Sequence, residues 1–364
     1  MNYLDNAALE KPKDDIIKYI SEILKNNWCN PNSIYECGLK SKQIINDTKY
    51  IISNEINCNP EDIIFCSCGS EANALATVGY IRANSKGTFI TSTIEHASIL
   101  ENPYARKIVT VDKDGYFDMN IIESIHDSLV SLQMANSEIG TIQDMKNIVK
   151  ILHNNNCIVH TDAVAIFGKH KIDVNDLDVD MMTVTGQKIG GILGGAFLYK
   201  KKNIKINPII YGHNTFRGGT PNVMAIASLG AAIKSLDYSS ISSANRDYVY
   251  NYTIENITDS YLIGASIESG NRLPHNLYMC FKGTEGESLL ILLDMNKIQV
   301  STGSACTSGD ITPSTTLSAI GMDEHDIHSC IRMTFSGKET QEELDYICKT
   351  IKQCVEKLRS FNKQ

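Results

Sequence analysis

The chain has 364 residues, 42% hydrophobic and 21% charged, with a formal net charge of −8, enough for a large core and for two domains. No apolar run approaches the roughly 20 residues of a membrane span, and the basic clusters, KHK at 169–171 and KKK at 200–202, are short solvated stretches. Neither a membrane nor a nucleic acid is therefore an expected partner.

The opening MNYLDNAALEKP lacks the basic and apolar regions of a signal peptide, so the cytoplasm is the expected compartment. Residues 13–26 and 38–56 read as helices joined by the polar loop Asn30-Pro31-Asn32-Ser33. Ile63–Cys66 reads as a buried strand running through Ser67-Cys68-Gly69-Ser70-Glu71 into a small-residue helix, ANALATVGYI. Further strands are expected at Thr88–Thr91, Lys107–Val111, Leu129–Met134, Cys157–Thr161, Met181–Val184 and Ala196–Tyr199. Asp144 caps a helix with Met145, Ile148, Val149 and Leu152 on one face. Strands alternating with helices predict an α/β fold, a mainly parallel sheet sandwiched by helices.

Beyond about residue 230 a serine-rich stretch (Ser239, Ser240, Ser242, Ser243) introduces a different texture: a hairpin-like LYMCF, a helix at 287–294 and a strand Ile298–Ser301. A last helix follows, with Thr340 as cap, Glu343 as its capping-box partner and a core stripe of Leu344, Ile347, Ile351, Val355 and Leu358. The expected organisation is an N-terminal segment at 1–12 packing with the small domain, a large domain at 13–230 and a smaller α+β domain at 231–364. The eleven cysteines are odd in number and include no CxxC pair, so no metal site is expected. Cys66 and Cys68 alternate along an apolar strand and read as buried in a reducing compartment.

Several residues carry chemistry. Two apolar runs end in Asp162 and in Lys188, the latter followed by glycines at 190, 191, 194 and 195. Ligands of an open parallel sheet bind beyond the carboxyl ends of its strands. An acid and a lysine there suit pyridoxal phosphate, the lysine as covalent attachment and the acid as partner of the ring nitrogen; a surface salt bridge is the plain alternative. Gly69-Ser70, where a strand turns into a helix, is an anion site or an ordinary cap, and Thr185 and Gln187 can add donors to the same phosphate. His96 follows a strand and opens a helix, either stacking on a bound ring or capping. Cys306, in the small-residue loop Ser301-Thr302-Gly303-Ser304-Ala305-Cys306-Thr307-Ser308-Gly309, suits a nucleophile or is an exposed bystander. Arg332, in the apolar run 331–335, needs an anion: a substrate carboxylate or a structural partner.

These motifs in one order give the chain a resemblance to the cysteine desulfurases of the NifS/IscS type, in the fold-type-I, class V aminotransferase superfamily. The match runs through YLDNAA at 3–8, NPNSIYECG at 30–38, EHASIL at 95–100, NSEIGTIQD at 136–144, HTDAV at 160–164, TGQKIGG at 185–191, RGGTPNV at 217–223, GSACTSG at 303–309 and IRMTFSG at 331–337. The resemblance implies a homodimer that converts L-cysteine to L-alanine and passes sulfur, as a persulfide on Cys306, to an acceptor protein or small molecule. It implies that Lys188 holds pyridoxal 5'-phosphate, Asp162 pairs with the pyridine nitrogen, His96 stacks on the ring and takes part in catalysis, and Arg332 binds the substrate carboxylate. Gly69, Ser70, Thr185, Gln187 and the partner subunit's Thr220 would hold the phosphate.

The chain departs from the family pattern in four places: Ser137 replaces a second asparagine and Ala165 a glutamine, positions that the resemblance puts against the ring oxygen or the nearby carboxylate; Gln187 replaces a histidine at the phosphate, and Tyr35 replaces another histidine. The chain stops near its last helix, so an iron–sulfur scaffold is not the expected acceptor. Two alternatives stay open: a divergent class V lyase or aminotransferase acting on another amino acid, and an impaired paralogue serving as an interaction partner.

Overall fold

In the computed structural model, residues 1–84, 88–213, 216–303 and 314–361 are described. After a two-residue strand β1 (Asn2–Tyr3), helices α1 (Asp14–Asn26) and α2 (Glu36–Ile56) lead to the first strand of the main sheet. That sheet comprises β2 (Ile63–Cys66), β3 (Thr88–Ser92), β4 (Ala105–Val109), β5 (Ser128–Gln133), β6 (Ile158–Asp162), β7 (Met181–Thr185) and β8 (Ala196–Lys200). These are short runs rich in β-branched and other apolar residues, and β5, β7 and β8 are buried along their whole length, as strands covered on both faces must be.

The spatial order is β2-β8-β7-β6-β5-β3-β4. β8 runs antiparallel to both its neighbours; the remaining pairs are parallel. β2 therefore points the same way as β7, and the carboxyl ends of β2, β3, β5, β6 and β7 share one edge. Between strands run α3 (Gly69–Ala83), the short α4 (Ala97–Leu100) and the helix Met145–Asn154, whose buried face is Met145, Ile148, Val149 and Leu152 as its period predicts.

The second core lies under an antiparallel sheet of β9 (Ser260–Leu262), β10 (Asn276–Phe281) and β12 (Cys330–Thr334), in the order β12-β10-β9. Leu277, Met279, Ile331 and Met333 pack there against Ile347, Ile351 and Val355 of the last helix, Gln341–Phe361. That helix starts with the expected box: Glu343 N donates to Thr340 Oγ1 at 3.3 Å and Thr340 N to Glu343 Oε2 at 2.8 Å. The N-terminal segment joins this core through Leu4 and through β1, which pairs with β11 (Ile298–Gln299).

Four local expectations change. β4 starts at Ala105, because Ala105 pairs with Phe89, and Val111 instead bridges Phe117 across a turn. The strand expected at Ile298–Ser301 changes partner midway: Ser301 bridges Arg332. Cys68 is not a strand residue; it caps α3, its sulfur accepting from Glu71 N at 3.4 Å. Cys29 and Cys37 are disulfide-bonded with Cα atoms 5.6 Å apart, closing the loop between α1 and α2.

Candidate active site

The shared carboxyl edge collects the sequence candidates. β6 ends in Asp162, which is 8% exposed. Its Oδ1 accepts from Val164 N at 2.9 Å and its Oδ2 from Asn73 Nδ2 at 2.8 Å. Each oxygen keeps a lone pair for a further donor. On the neighbouring strand β7, Asp162 faces Thr183, and the chain continues through Thr185 into the turn Gly186–Lys188. Thr185 is buried, with Oγ1 3.4 Å from Gly195 O; Gln187 O accepts from Glu10 N at 3.0 Å.

Lys188 and Arg332 come from different cores and meet on one short segment. Lys188 Nζ donates to Ala7 O and, at 2.7 Å, to Ala8 O. Arg332, 5% exposed, donates from Nη2 to Asp5 Oδ1 at 2.8 Å and from Nη1 to Ser137 O at 3.3 Å. Three residues of extended chain span at most about 11 Å, so the amine and the guanidinium lie at neighbouring points of a common site. Arg332 thus has the structural partner left open by the sequence; its Nε is buried without a hydrogen-bond partner among the described residues. The Ser137 contact runs through the carbonyl, so the change from asparagine leaves it intact.

On the β2 side, Ser70 is exposed in the first turn of α3 and is not its cap. The first N–H groups of a helix lack intrahelical partners, and here they point from the same edge as Asp162. Glu71 fastens this turn: Oε2 accepts from Ser67 N at 2.8 Å and Oε1 from Arg217 Nε at 2.9 Å. Burial pushes its carboxyl up, but the hydrogen bonds from Arg217 and Ser67 outweigh burial and hold it below the ordinary value. Thr220, also exposed, lines a cleft of about 500 Å³ with Pro31, Asn32, Ser67 and Arg217.

After β3, His96 caps α4 through Nδ1, which accepts from Ser98 N at 3.1 Å, while the ring stays exposed. The preceding Glu95 is 4% exposed, with Oε1 2.6 Å from Ser92 Oγ and 3.0 Å from Gln133 N and with Oε2 unpartnered among the described residues. Burial pushes its carboxyl up to about 8, against the hydrogen bonds from Ser92 and Gln133.

Cys306 lies outside the described residues. On the two sides of its loop, Tyr278 OH donates to Thr302 O at 2.9 Å and Ser314 Oγ to Glu138 Oε2 at 2.6 Å. Burial raises the Glu138 carboxyl, while Ser314 and the charge of Arg332 pull it down.

Sequence reasoning passed over Asp5, Glu71, Asn73, Glu95 and Glu138 as participants. All five fall within stretches it singled out, yet each depends on a partner at least three positions away, most of them far along the chain, which local patterns do not encode. Acid, lysine and helix N-terminus on one sheet edge form the donor set that pyridoxal phosphate needs, and the Arg332 guanidinium suits a carboxylate; the residues fit the cofactor.

Comparison with known proteins agrees. The family model for aminotransferase class-V matches residues 2–347. Cysteine desulfurase IscS of Dictyoglomus turgidum is 34% identical, the match covering 99% of this chain and 96% of that protein. Cysteine desulfurase IscS 1 of Archaeoglobus fulgidus is 34% identical, with 100% and 99% covered. Among solved structures, a NifS-like protein matches with a TM-score of 0.89 at 26% identity, covering 98% of this chain and 99% of that one. SspA in complex with cysteine matches with a TM-score of 0.80 at 25% identity, covering 93% and 100%.

Proposed function

The chain belongs to the aminotransferase class-V family, and from that premise we propose that it is a pyridoxal-phosphate-dependent cysteine desulfurase, taking L-cysteine to L-alanine and sulfur to Cys306. The observation that carries the reading is the meeting of Lys188 and Arg332 on residues 5–8, an amine and a buried guanidinium side by side.

When bound, pyridoxal phosphate draws electrons from the substrate's α-carbon. The chain's own groups do the rest. Lys188 would be the covalent attachment and would supply a base beside the α-carbon. Asp162 would hold a proton at the ring nitrogen, and His96 would pack against the ring. Gly69, Ser70, Thr185 and Gln187 take the phosphate, with Thr220 of a second subunit. Arg332 would bind the carboxylate through its guanidinium and orient the cysteine. The Cys306 thiolate attacks the substrate sulfur. A sulfur–sulfur bond forms, the carbon–sulfur bond breaks, and its electron pair stays on carbon, which takes up a proton and leaves as alanine. An acceptor thiol then removes the sulfur, and the enzyme is expected to work in the cytoplasm.

The test is absorbance after adding pyridoxal phosphate, then alanine and sulfide released from cysteine, then mass spectrometry for one added sulfur. Lys188→Ala should abolish the covalent cofactor band. Cys306→Ser should keep the band but release little alanine and carry no sulfur. Alanine release that survives Cys306→Ser overturns the desulfurase reading and favours a class V enzyme for another amino acid, which Ser137, Ala165 and Gln187 would then reflect.

A further inference from the structure

Asn73 lies one turn into α3 and is 1% exposed. Its amide is used twice: Nδ2 donates to Asp162 Oδ2 at 2.8 Å and to Ser98 Oγ at 3.0 Å. Ser98 Oγ lies 2.9 Å from His96 Nδ1, and Ser98 N donates to that same nitrogen at 3.1 Å. A backbone N–H can only donate, so Nδ1 is an acceptor and the neutral ring carries its proton on Nε2. The Ser98 hydroxyl accepts a hydrogen bond from Asn73 and directs its own hydrogen at Nδ1. The donors therefore run one way, from Asn73 to Ser98 to His96.

The amide cannot be turned round, because Oδ1 would then face the Asp162 carboxylate, acceptor against acceptor. As it stands, Oδ1 is buried without a partner among the described residues. That leaves a desolvation cost that an apolar side chain of the same size would avoid. Packing of α3 alone does not account for an asparagine here.

The geometry points to Asn73 as a positioning residue that sets two members of the site at once, aiming the Asp162 carboxylate and holding the Ser98 hydroxyl on Nδ1 of His96. The inference rests on reading Asp162 and His96 as cofactor contacts. It goes further by making their placement one event: a change at residue 73 must disturb both, and a change at Ser98 only one.

Two measurements on Asn73→Leu, Asn73→Asp and Ser98→Ala test it. The first is the imidazole nitrogen spectrum of His96, assigned with His96→Gln, in protein stripped of cofactor. Wild type should show a single tautomer protonated at Nε2, with Nδ1 shifted by the Ser98 hydroxyl; Asn73→Leu and Ser98→Ala should both move the Nδ1 resonance away from that pattern, while the Ser98 N–H keeps the tautomer. The second is pyridoxal phosphate titrated into stripped protein at pH 6 and pH 8. Asn73→Leu should weaken binding about tenfold at both pH values, the loss of one hydrogen bond to a charged group. Asn73→Asp sets two carboxylates against each other, so binding should fall further at pH 8 and recover at pH 6, where the pair shares a proton. Ser98→Ala should leave the Asp162 arm intact and cost less than Asn73→Leu.

If Asn73→Leu binds as wild type does and keeps the His96 pattern, the residue is packing only and the inference falls. If wild type itself takes up no pyridoxal phosphate, the cofactor reading fails separately, and the His96 spectrum alone decides whether Asn73 acts through Ser98. Should Asn73→Asp not fold, the other two variants still decide.

Discussion

At the scale of single residues, the site is a set of buried charges whose partners are only half supplied by the protein. Arg332 shows this most clearly, with Asp5 on Nη2 and an unpartnered Nε. Arg332→Lys keeps the charge for Asp5 but gives up the planar fork that a carboxylate needs. Its kcat/KM for cysteine should fall by roughly 10- to 100-fold, the equivalent of about 1.5–3 kcal/mol for a hydrogen bond to a charged group, mainly through KM. Steady-state kinetics check this, and unchanged KM would leave Arg332 as the structural partner of Asp5 alone. Glu95 gives a pH signature. Its folded-state carboxyl sits at about 8 against an ordinary 4.5, raised by burial. The folded protein therefore keeps a proton that the unfolded chain has released, and stability declines as pH rises from about 4.5 through about 8. Glu95→Gln has no proton to lose. Urea midpoints at pH 5.5 and pH 8 should show wild type losing ground to Glu95→Gln on the alkaline side, and a constant gap between them would refute the assignment.

At the scale of elements, the sequence was legible where the signal is periodic and local. The strands of the main sheet were found within two residues because apolar runs bounded by turns are what a doubly covered sheet requires. The last helix was found with its cap, and Thr340→Ala should cost about 1 kcal/mol in thermal or urea unfolding while leaving the rate on cysteine unchanged. Candidates such as Asp162 and Lys188 were legible because each stands at the end of a β-branched run. What escaped was pairing across the chain. Asp5 and Arg332 are 327 positions apart, and nothing in either neighbourhood announces the other. Cys68 reads as strand by alternation, but the turn into α3 makes it a cap. The Cys29–Cys37 disulfide escaped because a lone pair spaced by eight residues matches no framework pattern. It staples the loop whose Pro31 and Asn32 line the cleft beside Thr220. Alkylation of denatured, unreduced protein should label nine of the eleven cysteines, eleven less the bonded two. Cys29→Ser should lower unfolding stability by about 2–3 kcal/mol, as closing so short a loop predicts. Eleven labels would remove the staple.

At the scale of the whole molecule, the surface around that cleft asks for a partner. Trp28, Ile34 and Tyr211 are 71%, 91% and 76% exposed, and residues 28–34 and 211 flank the loops that carry Pro31 and Thr220. Thr220 itself is exposed. Isologous contact through this face would cover the large apolar side chains and bring each Thr220 toward the other subunit's site. If the sites are shared in this way, a subunit lacking Lys188 can still lend its Thr220. Lys188→Ala and Thr220→Ala protein, each weak or inactive alone, are mixed and allowed to exchange subunits. Half of the resulting dimers are then mixed, and each holds one site with Lys188 from one chain and Thr220 from the other. Activity should return to about a quarter of the wild-type level in sites per subunit. Sedimentation of the same samples should show dimers throughout. Dimers that exchange subunits yet recover no activity would mean that Thr220 serves its own chain, and a cofactor-loaded monomer would mean that the exposed face has another purpose.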